Sequence, residues 1–117
     1  MTNTVDTDTL GSYVLTYNVS DSFGNSATEV TRTVNVTDTR PPAITLLGET
    51  VLGGAVFDHE AGTPYTDPGA SATDSFEGDL AAKVVVTGAV DITKLGEYTL
   101  TYNVSDAAGN AAAALTR

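Results

Sequence analysis

The chain reads as an all-β protein, an antiparallel β-sandwich of about seven short strands. Three observations predict this. Apolar and polar residues alternate with period two, as in Tyr13, Leu15, Tyr17 and Val19 against Val14, Thr16, Asn18 and Ser20. That is the mark of a half-buried strand. Clusters of Gly, Pro, Asn and Asp punctuate the chain at short intervals, which is turn chemistry. No segment shows a capped 3.6-residue period. With 117 residues and 41% hydrophobic content, the chain has one domain's worth of length and a modest core.

The elements follow in order. The first strand ends in Ser20-Asp21 with Gly24-Asn25 behind it. Asp and Asn bond their own backbone and Gly supplies positive φ, so a turn follows. Residues 27–36 form the return strand of a hairpin. Thr37-Asp38-Thr39-Arg40-Pro41-Pro42 is an extended linker, because two prolines lack amide donors. Residues 43–47 and 50–52 read as short strands split at Gly48. Gly53-Gly54, Gly62-Thr63-Pro64 and Asp67-Pro68-Gly69 are turns. Residues 70–73, 84–87 and 90–92 supply further strands. Tyr98, Leu100, Tyr102 and Val104 restore the opening alternation. Residues 107–115 are Ala-rich, yet they align with a strand.

That alignment is an internal repeat. Residues 10–32 read LGSYVLTYNVSDSFGNSATEVTR and residues 95–117 read LGEYTLTYNVSDAAGNAAAALTR, with 15 of 23 positions identical at an offset of 85. The expected organisation is therefore residues 1–38 as the C-terminal strand hairpin of a preceding, incomplete repeat. Residues 39–117 form one nearly complete repeat. The chain reads as a piece of a longer tandem array.

Composition excludes several functions. Fifteen acidic residues against five basic give a net charge of −10, which opposes phosphate-backbone binding and attraction to anionic membranes. No apolar run reaches the 18 or so residues of a membrane span. The first residues lack the pattern of a signal peptide, so an export signal is expected outside the chain. The absence of cysteine removes disulfides and thiol chemistry.

Leu95-Gly96-Glu97-Tyr98 matches the corner of immunoglobulin-type sandwiches, where a Tyr fills the core and its hydroxyl bonds back to the chain. Leu100, and Leu15 in the first copy, take the core place two residues on. Asp-Thr-Arg-Pro-Pro-Ala-Ile-Thr-Leu-Leu-Gly at 38–48, Tyr65-Thr66-Asp67-Pro68-Gly69-Ala70, Glu77-Gly78-Asp79-Leu80 and the repeated LGEYTLTYNVSDAAGN string form a more specific ordered set. It resembles the bacterial surface-protein immunoglobulin-like repeats, which also occur in some pesticidal crystal proteins and are similar to hyalin repeats. The resemblance implies an immunoglobulin-like sandwich strung in tandem in large secreted or cell-surface proteins. Roles in spacing, adhesion or accessory binding are implied with it. Ala81-Ala82 departs from the expected pattern, which calls for a polar residue such as Thr.

No catalytic or cofactor-binding residue is expected. His59 is the single histidine, with no nucleophile motif to serve, and reads as a loop residue. Asp38, Asp67, Asp74, Glu77 and Asp79 suit calcium by ligand type. They lack the EF-hand spacing, and turn formation explains them more simply. Tyr65 and Phe76 are expected to be buried under loops. The motifs at Asn18, Asn35 and Asn103 read as incidental glycosylation matches. Lys83 and Lys94 would allow an isopeptide bond only if one were buried beside an acid. The expected function is a non-enzymatic spacer from a bacterial surface or secreted protein. A binding module for a glycan or a surface protein is the alternative. Its partners would be neighbouring repeats, and a second copy through strand exchange at the orphan hairpin.

Overall fold

A computed structural model describes residues 4–48, 56 and 58–117; the strand expected over 50–52, the Gly53-Gly54 turn and Phe57 lie outside the described residues. The chain divides into two compact units, Met1–Asp38 and Thr39–Arg117.

The first unit is built on one antiparallel ladder. β1 (Gly11–Tyr17) pairs with β2 (Val30–Val36), from Gly11 opposite Val36 to Tyr17 opposite Val30. Directly opposed residues share a face. Tyr13, Leu15 and Tyr17 therefore line up with Val34, Arg32 and Val30. Pairing continues past β1 through a bridge between Ser20 and Ser26 and a bond from the Ala27 amide to the Val19 carbonyl (2.8 Å). The return strand is regular only from Val30.

The second unit holds two three-stranded antiparallel sheets. β3 (Ala43–Leu46), β4 (Ala70–Asp74) and β5 (Gly78–Asp79) form one, with β4 central. β6 (Val85–Thr87), β7 (Thr101–Asn103) and β8 (Leu115–Thr116) form the other, with β7 central. Ala72 of β4, Leu80 and Val104 make the buried cluster, with Ile44, Val84 and Ala112 packed against it. Ile44 and Ala72 of the first sheet meet there Val84, Val104 and Ala112 from the segments flanking β6, β7 and β8, so the two sheets close over one core as a sandwich. Leu100 and Tyr102 are buried as well, and Tyr102 is the largest side chain wholly out of water among the described residues.

Two local expectations are corrected. Residues 90–92 form no strand, and the chain turns at Ile92-Thr93. The Asp91 carboxylate accepts the Thr93 amide at 3.0 Å, and the Asp91 carbonyl accepts the Lys94 amide. An Asp offers the backbone a partner that competes with a ladder. The strand expected from Tyr98 shortens to β7, although Leu100 and Arg117 still exchange two backbone bonds of 2.9 Å. Ala81–Lys83 is a 3₁₀ turn. Two alanines tolerate that tight backbone better than the β-branched Thr that the resemblance suggested.

Gly88 fixes the approach of β6 to the segment before β7. Its φ is +102°, and a Cβ there would stand 2.2 Å from the Thr99 carbonyl oxygen. Gly109 has a similar φ of +91° with open space around it. Gly88→Ala is expected to destabilise the second unit by about 3 kcal/mol, against about 1 for Gly109→Ala. Chemical denaturation of both variants checks this difference. The repeat provides a second comparison: Val104 is 4% exposed and its copy Val19 is 67% exposed. Val104→Ala should lower its unit's stability by about 2 kcal/mol. Val19→Ala should change its own unit by less than about 0.5. Denaturation followed by NMR signals from each unit separates the two.

Candidate functional site

The corner tyrosines lie where the sequence places them. The Tyr13 hydroxyl donates to the Thr9 carbonyl at 2.8 Å, and the Tyr98 hydroxyl donates to the Lys94 carbonyl at 2.9 Å. Both bonds span four residues, so they need only the local chain. The two Asp-Gly-Asn turns are also copies of each other. Asp21 accepts the Asn25 amide at 2.9 Å and its side-chain nitrogen at 2.8 Å, and Asp106 accepts both groups of Asn110 at 2.7 Å. The Asn25 side chain holds the Asp21 carboxyl below its ordinary range, aided by the Asn25 amide.

A third constellation is long-range. Tyr102 donates its hydroxyl to Asp67 at 2.7 Å. Arg117 pairs with the same carboxylate and donates to the Leu47 carbonyl. Its guanidinium carbon lies 5.8 Å from the centre of the Tyr102 ring, and its side chain is only 5% exposed. Burial, then the carboxylate of Asp67, pushes the Tyr102 hydroxyl well above the usual phenol range, so it remains a donor. Sequence reasoning gave Asp67 to a turn and missed this cluster. The available signal was that Tyr17 with Arg32 and Tyr102 with Arg117 are identical pairs at the repeat offset.

The other carboxylates serve turns and ion pairs. Asp74 accepts the Phe76 and Glu77 amides at 2.7 and 2.9 Å, and the Glu77 amide is the larger cause of its lowered pKa. Asp79 accepts the Ala81 amide at 2.9 Å. Glu77 takes Lys83 at 2.9 Å and the Ala107 amide, and a carboxylate oxygen of Glu77 lies within 4.8 Å of one of Asp106. Lys83 outweighs that repulsion and holds Glu77 below its ordinary range. Asp38 is the last residue of the first unit.

His59 belongs to a loop, with Nε2 3.0 Å from the Thr63 carbonyl and its ring edge-on to Tyr65 at 5.2 Å. It lies on an open cleft of about 380 Å³ together with Tyr65, Asp91, Lys94, Glu97 and Tyr98. Lys83 and Lys94 each pair with a nearby carboxylate and stay exposed. Tyr65 is half-buried, but Phe76 is 44% exposed, which corrects the expectation of burial. Phe76 sits in the three-residue turn between β4 and β5, too short a connection to cover its own side chain. Phe23, at the tip of the first hairpin, is 91% exposed.

Two sheets closed over a small core, a corner tyrosine and a turn held by its own Asp define an immunoglobulin-like module. The family of bacterial surface protein, Ig-like domains, matches residues 1–36 and 50–117, and the chain belongs to that family. It is 34% identical over 113 residues to a pesticidal crystal protein of Bacillus thuringiensis, covering 94% of this chain and 14% of that protein. It is 38% identical over 110 residues to hyalin of the sea urchin Strongylocentrotus purpuratus, covering 86% of this chain and 8% of hyalin. The chain thus spans a small fraction of either relative. No helix among the described residues is long and apolar enough to cross a membrane.

The lowered carboxyls set a pH dependence. Asp74, Glu77 and Asp91 all have folded pKa values below their ordinary 3.8, 4.5 and 3.8. The unfolded chain then binds more protons in that range, so stability is present above it and is lost as pH falls through the folded values. The melting temperature of the second unit should stay level from about pH 7 to about 5 and fall below about 4.5. Thermal melts across that range check the sign.

Proposed function

We propose that the chain is a non-enzymatic spacer from the tandem array of a large bacterial secreted or cell-surface protein, supporting adhesion by the domains it carries. The observation that carries this reading is the duplication: the same corner, turn and tyrosine–arginine pair recur at an offset of 85 residues. A period of that size is one immunoglobulin-like domain. The mechanism is mechanical. Strand ladders resist extension, the Pro41-Pro42 linker stiffens the connection, and a net charge of −10 keeps neighbouring stalks apart. Family membership supports a surface location and a module without catalysis.

The exposed Phe23 and Phe76 favour a second reading, a glycan- or protein-binding module. Aromatic faces in water are stacking platforms. Stretching the chain between tethered ends separates the two readings when combined with a glycan array. The spacer reading expects a discrete unfolding step of roughly 25 nm for Thr39–Arg117, and no saturable glycan binding. Specific, saturable binding abolished by Phe76→Ala would favour the binding module.

A further inference from the structure

Two segments of the second unit wall the open cleft beside His59. One runs from Asp58 to Tyr65 and the other from Asp91 to Tyr98, and the Gly62 amide ties them by donating to the Ile92 carbonyl at 2.8 Å. Both walls are held from within. The Thr63 hydroxyl gives its hydrogen to the Glu60 carbonyl at 2.7 Å, and the Thr63 carbonyl can only accept. The hydrogen between His59 and Thr63 therefore sits on Nε2, and Nδ1 of the neutral ring is left as an acceptor. The same ring stands edge-on to Tyr65. On the opposite wall the Tyr98 hydroxyl is committed to the Lys94 carbonyl, which fixes that ring too.

The charges on these walls do not balance. Asp91 has the Lys94 ammonium at 3.6 Å. Asp58 on the first wall and Glu97 on the second are exposed, and neither pairs with a cation among the described residues. The whole chain carries −10, and a cleft in such a surface gathers cations. The cleft also holds the His59, Tyr65 and Tyr98 rings. Aromatic faces attract ammonium groups and cover methylene chains. A volume of about 380 Å³ suits a small ligand. We propose that this cleft binds a linear diamine or polyamine, an organic cation whose ammonium groups are separated by methylenes. One ammonium pairs with Asp58 and another with Glu97, and the methylenes between them lie against the rings. Nδ1 of His59 accepts a further ammonium hydrogen. A metal ion fits less well, because among the described residues Asp58 and Glu97 belong to no converging set of three ligands. The site is independent of the spacer role.

The test is titration of the full chain with putrescine and with spermidine at low ionic strength, read by amide chemical shifts. Both are expected to give saturable one-to-one binding, with the largest shifts at residues 58–65 and 91–98. Asp58→Asn and Glu97→Gln alter exposed side chains and keep the fold. Each should weaken binding about fivefold, the upper end for an exposed ion pair. Methylammonium answers one carboxylate only and should bind at least about tenfold more weakly than putrescine. Glu29→Gln, at an exposed acid of the first unit, should change nothing. Shifts that spread over the acidic surface without saturating overturn the proposal, since they mean counter-ion attraction only. So does binding indifferent to both Asp58→Asn and Glu97→Gln, or methylammonium binding as tightly as putrescine.

Discussion

Tyr102 is wholly buried, and a buried hydroxyl has to find a partner or cost roughly 1–3 kcal/mol. Its partner, Asp67, precedes β4 in one sheet, whereas Tyr102 lies on β7 of the other. The carboxylate drawn inward then needs a counter-charge, and Arg117 supplies it from the end of β8 while reaching the carbonyl of Leu47 beyond β3. One hydroxyl thus obliges four segments from two sheets to meet. In a core whose buried cluster is Ala72, Leu80 and Val104, area alone fixes the relative placement of the sheets weakly. The polar knot does so more narrowly, since hydrogen bonds have direction and apolar contacts do not.

The internal duplication separates what a sequence dictates locally from what its surroundings add. The turn at Asp21 and the turn at Asp106 have matching bonds although the first is exposed and the second buried. The corner tyrosines behave alike too. Burial does not transfer: Val19 and Val104 are the same residue in the same strand pattern with opposite exposure. Secondary structure here belongs to the hairpin, and solvation belongs to whatever lies across from it.

The same division explains which features were legible in advance. The Tyr13 and Tyr98 corners and the Asp-Gly-Asn turns close over four residues, so a reading of local spacing finds them. β1, β3, β4 and β6 follow the alternating and β-branched runs closely. Residues 90–92 have the right composition for a strand but contain an Asp whose carboxylate captures the amide and hydroxyl of Thr93. Phe76 was misplaced because loop burial depends on what folds over it. Asp67 and Arg117 stand 50 positions apart, and nothing in local pattern joins them. Only the repetition of the tyrosine–arginine pair hints that the arginine has a task.

The self-contained turns carry a kinetic consequence. A turn closed by its own Asp, between strands only a few residues away, forms on the microsecond scale typical of hairpins. The contact of Asp67 with Tyr102 and Arg117 must instead close loops of 35 and 50 residues, paying chain entropy before any reward arrives. Closing the hairpin therefore costs the second unit little chain entropy, whereas bringing Asp67 onto it costs more.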